Sequence, residues 1–333
     1  MNRSDATPPA PALRLSVVIP IYNEEEVLPE LLRRLGAVLD GIDGQHEIIL
    51  VDDGSRDRSV AIIEEAAKTD PRLVLVQLAR NFGHQAALSA GMDEVRGQAA
   101  ILMDADLQDV PEEIPRFIAA WEEGADVVYA RRTKRKEPLW LRAAYYSYYR
   151  ILARFSDIEQ PLDAGDFSLL ARPVVDTIRG SREHNRYLRG LRTWVGFRQV
   201  GIEVERAERA AGESKYNLSR LFKLGFDGLF SFSSLPVRVA TLVGICAIGL
   251  SGVYLAYALY VKLMGGSPDG FTALVFIIVF LLGIQFVFLG VLGEYIHRIL
   301  DEVRARPLYV VRRRIGRDEA SSRVRKHDSA RWS

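Results

Sequence analysis

Short apolar runs alternate with amphipathic stretches through the first 130 residues of the chain. Leu15 to Pro20, Glu47 to Asp52, Leu73 to Leu78, Ala99 to Met103 and Asp126 to Ala130 read as strands. Their apolar residues are consecutive rather than alternating, so both faces of each strand are expected to be covered. Between them the pattern turns helical: from Asn23-Glu24-Glu25-Glu26 to about Leu39, from Asp53-Gly54-Ser55 to about Lys68, from His84 to Val95, and from Pro111 to Glu122. Strand–helix alternation of this kind predicts an α/β fold, a mostly parallel Rossmann-like sheet with helices on both faces.

Further on the apolar runs lengthen. Val237 to Val261 and Phe271 to Ile296 each exceed the roughly 20 residues that cross a bilayer. Their connection, Lys262 to Gly270, carries little positive charge, whereas Arg238 precedes the first run and Arg298, Arg304 and Arg306 follow the second. Both outer ends are therefore expected on the cytoplasmic side, as a C-terminal two-helix transmembrane hairpin. Two aromatic and basic stretches, Trp140 to Phe155 and Leu218 to Leu235, read either as packed helices or as helices lying on a membrane surface. The expected layout is a disordered tail (1–14), a cytosolic α/β domain (15–216), a juxtamembrane helix (217–235), two spans (236–298, with helices at about 237–261 and 271–296) and a basic tail (299–333). Gln285 is the polar side chain in the middle of the second span.

Composition adjusts this picture only locally. The 333 residues are 48% hydrophobic with net charge +1, but from Arg298 onward eleven Lys or Arg face five Asp or Glu. Beside an apolar span, such a tail suits anionic lipid headgroups, and no nucleic-acid motif accompanies it. The single cysteine, Cys246, excludes a disulfide framework and a thiolate metal site. Met1 to Arg14 lacks the apolar core of a secretory signal.

Ligands of open α/β sheets gather at the carboxyl ends of the strands. Four polar clusters fall there: Pro20-Ile21-Tyr22-Asn23-Glu24, Asp52-Asp53-Gly54-Ser55, Arg80-Asn81-Phe82-Gly83 and Asp104-Ala105-Asp106. Two carboxylates two apart on extended backbone point the same way, and a hard divalent cation that also grips phosphate oxygens relieves their repulsion. That pattern suits a nucleotide diphosphate, although a solvated loop with a helix-capping Asp would read the same way.

Taken as a set, Val18 to Glu25, Val51 to Asp57, Arg80 to Leu88 and Met103 to Glu112 resemble the inverting family-2 glycosyltransferases of GT-A type. Within these, the chain is most similar to the polyprenyl-phosphate glycosyltransferases, which include bactoprenol glucosyltransferases, dolichol-phosphate mannosyltransferases and aminoarabinose-type relatives. Asp163 to Leu170 resembles their acceptor-side motif, Arg206 to Tyr216 their basic loop, and Asn185 to Phe197 the bacterial bactoprenol branch. The Gln-x-x-Arg-Trp pattern of processive synthases is missing. The resemblance implies a UDP-sugar held by Pro20, Tyr22, Glu24, Asp52 and Asp53, with Asp104 on the donor. Asp106 would ligate Mg²⁺ or Mn²⁺, Asp166 would face the acceptor, and Arg131, Arg206, Arg209 and Lys215 would gather phosphates. At position 84, where relatives often carry Lys, this chain has His84.

The expected reaction is transfer of a sugar, glucose by the bactoprenol resemblance, to undecaprenyl phosphate at the cytoplasmic face of the inner membrane. Galactose, 4-amino-4-deoxyarabinose, or mannose from GDP-mannose stay open, as does a non-catalytic membrane adaptor. A phosphate monoester is largely dianionic at neutral pH, with a second pKa of about 6. Asp166 is therefore expected to orient the acceptor and to take up only a remaining proton. Relatives often associate through their spans, so homo-oligomers are expected as well.

Overall fold

The computed structural model describes residues 13–132, 164–181, 183, 188–204, 235–264 and 270–316. They divide between two compact units, one drawn from residues 1–137, 160–214 and 307–333, the other from 138–159 and 215–306.

The first unit is an eight-stranded sheet of order β7-β5-β6-β4-β1-β2-β3-β8. Its first half follows the sequence pattern: β1 (Leu13–Ile21), α1 (Leu28–Asp40), β2 (Gln45–Asp52), α2 (Ser59–Ala66), β3 (Leu73–Leu78), α3 (His84–Glu94), β4 (Ala99–Leu102), a 3-10 turn at Pro111–Glu113, α4 (Ile114–Glu122) and β5 (Val127–Arg132). Then come β6 (Ala164–Ala171), α5 (Arg172–Gly180), α6 (Leu188–Trp194), β7 (Gln199–Val204) and, beyond the apolar helices, β8 (Val311–Ile315). Strands β4, β1, β2 and β3 are parallel, and so are β5 and β7. Two antiparallel strands interrupt them: β6 between β4 and β5, and β8 on the edge of β3.

Period-two alternation along the buried strands divides the core. Leu15, Val17, Ile19, Ile48 and Leu50 face Leu28, Leu31 and Leu35 of α1, Ile63 of α2 and Phe117 of α4, whose ring lies 4.6 Å from that of Phe167 on β6. Val18, Ile49, Val51, Val74 and Val76 face α3, α5 and α6. Helix α3 comes unusually close because it is made of small residues. A Cβ on Gly91 would lie 2.3 Å from Val18 Cγ1 and 3.0 Å from Val51 Cγ2. This close seat fixes the position of the helix's first residue, His84.

Residues 299–333 were expected to form a basic tail outside the α/β domain, and the structure corrects this in part. Ile299 to Val303 finish a helix, and Val311–Ile315 join the sheet as β8. The arginines of β8 find acidic partners there: Arg313 on Glu64, and Arg314 on the nearly buried Glu94 at 3.0 Å. Tyr309 bonds Asp93 just before the strand.

The second unit contributes α7 (Leu235–Leu263) and α8 (Phe271–Val303), which contact each other. Leu242–Leu263 and Phe280–His297 are long and apolar enough to cross a membrane, and large side chains such as Leu250, Phe286 and Val287 stand exposed along them. Gln285 is exposed on α8. The aromatic-basic stretches, Trp140 to Phe155 and 217–234, lie outside the described residues.

Candidate active site

The rim of the sheet is assembled from the loops that follow β1 to β4, together with the start of β6. After β1 the chain turns through Asn23, whose φ of 56° is left-handed. Its side-chain Oδ1 accepts the Arg56 amide at 2.8 Å, and its own amide donates to Ser55 Oγ at 3.0 Å. The Glu24 amide donates to Ser59 Oγ at 2.9 Å. These bonds fasten the first loop to the second and leave the Tyr22 ring 46% exposed beside half-buried Pro20.

The adjacent carboxylates at the end of β2 have different surroundings. Asp52 is fully buried; its Oδ1 accepts the Ser55 amide at 3.0 Å, and Oδ2 meets no hydrogen-bond donor among the described residues. Asp53 faces the other way, where its two oxygens accept the amides of Phe82 at 2.7 Å and Gly83 at 2.9 Å. Burial raises its pKa even so, the two amides offsetting only part of that effect. Both oxygens of Asp53, expected among the nucleotide-binding residues, accept amides of the loop that delivers His84. Gly54 permits this nesting, because with φ +75° a Cβ there would come within 2.8 Å of the Arg80 and Asn81 backbone.

Beyond β4, buried residues alternate with half-buried acids: Met103, Ala105 and Leu107 point inward, Asp104 and Asp106 to the rim. The loop is held open by Asp109, which accepts the Asp104 amide at 3.1 Å, and by Asp106 Oδ1, which accepts the Gln108 amide at 3.1 Å. Leu107 takes φ 57°, a conformation that costs about 1–2 kcal/mol for a side chain of this kind. Arg34 of α1 grips Glu112 bidentately at 2.8 and 2.6 Å, anchoring the far end of the loop.

Strand β6 supplies the third acid. It pairs with β4 antiparallel, and continuing the register two residues past Leu102↔Ser168 sets Asp104 opposite Asp166. Like charges facing across a ladder repel. Two cation-capable side chains answer this. Arg189 of α6 forks onto Asp166 through Nε and Nη2, both at 2.6 Å. His84 Nε2 lies 3.6 Å from Asp104 Oδ1 and 3.9 Å from Asp166 Oδ2. Burial by itself would raise the Asp166 pKa, but the Arg189 fork overrides it and holds the carboxyl below the usual range. Asp104 shifts upward: burial dominates, His84 opposes it, and Asp166 and Asp106 add to it.

Sequence reasoning named Asp104, Asp106 and Asp166, and the structure brings Asp104 and Asp166 together. It did not assign roles to Arg189 or Arg192. Their spacing of three puts both on one face of α6. Buried Arg192 donates to the Gly165 carbonyl at 3.1 Å, holding the backbone next to Asp166, and stacks over Tyr129. Arg131, expected to gather phosphates, pairs with Glu203 at 2.9 Å, both partners more than half exposed. Arg206, Arg209 and Lys215 lie outside the described residues. No group of three or more His, Cys, Asp or Glu side chains is placed to hold a metal by itself among the described residues. A rim carboxylate that shares a cation with ligand oxygens is the arrangement Asp106 fits, its donor oxygens suiting Mg²⁺ or Mn²⁺.

The mostly parallel sheet with an inserted antiparallel strand and acids on its rim is a GT-A fold, a glycosyltransferase architecture. Residues 16–179 match the family described as Glycosyl transferase family 2. "Uncharacterized glycosyltransferase YkcC" of Bacillus subtilis (strain 168) is 44% identical over 306 residues, 91% of this chain and 95% of that protein. "Bactoprenol glucosyl transferase" of Shigella phage SfII is 37% identical over 310 residues, 90% and 98% of the two chains. "Undecaprenyl-phosphate 4-deoxy-4-formamido-L-arabinose transferase" of Proteus mirabilis (strain HI4320) is 38% identical over 312 residues, 91% and 94%. Among solved structures, the mannosyltransferase PcManGT from Pyrobaculum calidifontis in complex with GDP-Man and Mn²⁺ is similar at 16% identity and TM-score 0.46, covering 84% of this chain and 89% of that one. The chain belongs to glycosyltransferase family 2.

Proposed function

We propose that this protein transfers a sugar, with inversion, from a UDP-sugar to undecaprenyl phosphate or a similar polyprenyl phosphate at the cytoplasmic face of the membrane. The observation that carries this reading is the cross-strand placement of Asp104 against Asp166 with Arg189 and His84 around them, which would let a donor-side and an acceptor-side group share one gap. Relatives named for bactoprenol and undecaprenyl-phosphate transfer, alignable over nine-tenths of the chain, support the acceptor class.

Tyr22, Pro20, Glu24 and Asp52 would take the nucleoside, Asp52 Oδ2 being a buried acceptor suited to a base N–H. Asp104 would hold the sugar. Asp106 would ligate Mg²⁺ or Mn²⁺, a cation that offsets the charge building on the departing diphosphate when bound. An acceptor phosphate oxygen bonds to the anomeric carbon as that carbon's bond to the diphosphate oxygen breaks, and UDP leaves with the electron pair. The Arg189 fork holds the Asp166 carboxyl below its usual range, which supports an orienting role for Asp166 with little uptake of a remaining proton. The dianionic acceptor needs no base. Arg131, Arg206, Arg209 and Lys215 would complete the phosphate-binding set.

Connectivity supports the membrane placement: the chain leaves the sheet for α7 and rejoins it as β8 after α8, and two crossings would return it to the side of the sheet. The arginines at the outer ends support a cytoplasmic position for the sheet. Glucose is the first choice of sugar; the Proteus mirabilis relative favours a 4-amino-4-deoxyarabinose type as the second. Incubating the purified protein with undecaprenyl phosphate and a panel of nucleotide sugars tests all of this. UDP release that requires both the lipid and a divalent ion is the expected result, and release independent of the lipid would sink the reading.

A further inference from the structure

Among the described residues, His84 is the imidazole at the rim, and its surroundings are specific. It opens α3 directly after Gly83, whose amide is pinned by Asp53, and Gly91 seats the same helix hard against the sheet. Its side chain is 43% exposed, and among the described residues its ring makes no hydrogen bond. Nε2 is instead aimed into the space between Asp104 and Asp166, just too far from either to bond. The neighbouring residue ties this helix to α6: Gln85 Oε1 accepts the Leu188 amide at 3.1 Å. Residues 84 and 189, each next to one end of that bond, are thereby held near Asp166 Oδ2, at 3.9 Å and 2.6 Å.

A dianionic phosphate entering the gap between Asp104 and Asp166 meets acceptor oxygens and is held there only where donors face it. Arg189 is already engaged with Asp166. The cation ligand Asp106 belongs to the leaving-group side. We propose, resting on the reading above, that His84 with its proton on Nε2 donates to a non-attacking oxygen of the acceptor phosphate, and with Arg189 orients that phosphate for attack between Asp104 and Asp166. His84 is then an acceptor-contacting residue and not a donor-phosphate ligand.

The test compares His84→Leu and His84→Gln with the parent enzyme in full-length, detergent-solubilised form. KM for undecaprenyl phosphate, KM for the UDP-sugar and the Kd for UDP are measured separately. A hydrogen bond to a charged group is worth enough that losing it should raise the acceptor KM tenfold or more in His84→Leu, with both donor constants within about twofold. Glutamine places an N–H near the Nε2 position, so His84→Gln should recover most of the loss. A merely structural role would move all three constants and the melting temperature together. A rise in the donor constants alone, equal impairment by Gln and Leu, or no change in either would overturn the proposal. A parent enzyme that transfers sugar to no polyprenyl phosphate would overturn it together with the function it rests on, and that outcome is seen before any variant is made.

Discussion

Replacing Arg189 by Met removes both of the bonds it makes to Asp166 while keeping an unbranched side chain in the helix. Asp166 is 12% exposed and faces Asp104 across the ladder, so the variant leaves a nearly buried carboxylate with an acid opposite. Breaking a buried pair from one side costs about 3–5 kcal/mol. Because Arg189 itself is 33% exposed, the lower end applies, about 3 kcal/mol. At about 2–4 °C per kcal/mol for a unit of this size, the melting temperature should fall by about 6–12 °C at pH 7.5. The pH dependence separates this cause from ordinary loss of packing. In the parent protein the Asp166 pKa is depressed, so its contribution is present above the unfolded-state value and is lost as pH falls through the lower folded value. Without Arg189 only the weaker charges of His84 and Arg192 oppose burial, and the folded pKa is expected to rise above the unfolded one. The contribution is then whole in acid and is lost as pH rises. Melting curves from pH 4.5 to 8 should therefore converge towards acid, and Asp166→Asn added to Arg189→Met should restore part of the stability at pH 7.5. A deficit that is constant across pH, or a double variant no better than the single one, would refute the electrostatic account.

Asp106→Ala should reduce kcat by about a hundredfold or more while shifting the melting temperature by no more than a few degrees, since its removal also relieves repulsion at Asp104; chelating divalent ions in the parent enzyme should match the kinetic effect, with Mn²⁺ or Mg²⁺ restoring turnover. Gly91→Ala should cost about 1–3 kcal/mol through overpacking, because its new methyl meets Val18 and Val51, and denaturant titration reads it. Deleting the chain from Pro307 should leave the β3 edge unpaired, and self-association on size-exclusion chromatography at unchanged detergent concentration is the expected outcome.

Strands β1 to β5 were legible because burial on both faces leaves unbroken apolar runs, a signal that needs no partner to interpret. The acidic pair was legible because its spacing on extended backbone carries its own geometry. Strand β6 was not, since Ala164–Ala171 becomes a strand only by sliding antiparallel between β4 and β5, and the facing of Asp104 by Asp166 is a property of that register. Arg189 belongs to the same class: its partner lies 23 residues away, and nothing local in a short basic helix names it. Asp52 and Asp53 are chemically identical neighbours whose fates diverge because one residue along a strand reverses the direction of the side chain. Val311–Ile315 looked like a solvated tail because its middle residues are arginines, and the acids that accept them come from Glu64 and Glu94.

Strand β8 also has a consequence for biogenesis. The ribosome must complete both apolar helices before the residues that close the β3 edge emerge, so on the proposed topology the nascent chain would meet the bilayer with one flank of its sheet still open. The last stitch would then be made only after the proposed hairpin has gone in and come back out. On that topology, a chain whose hairpin stalled halfway would keep the β3 flank open, a template for pairing with another chain.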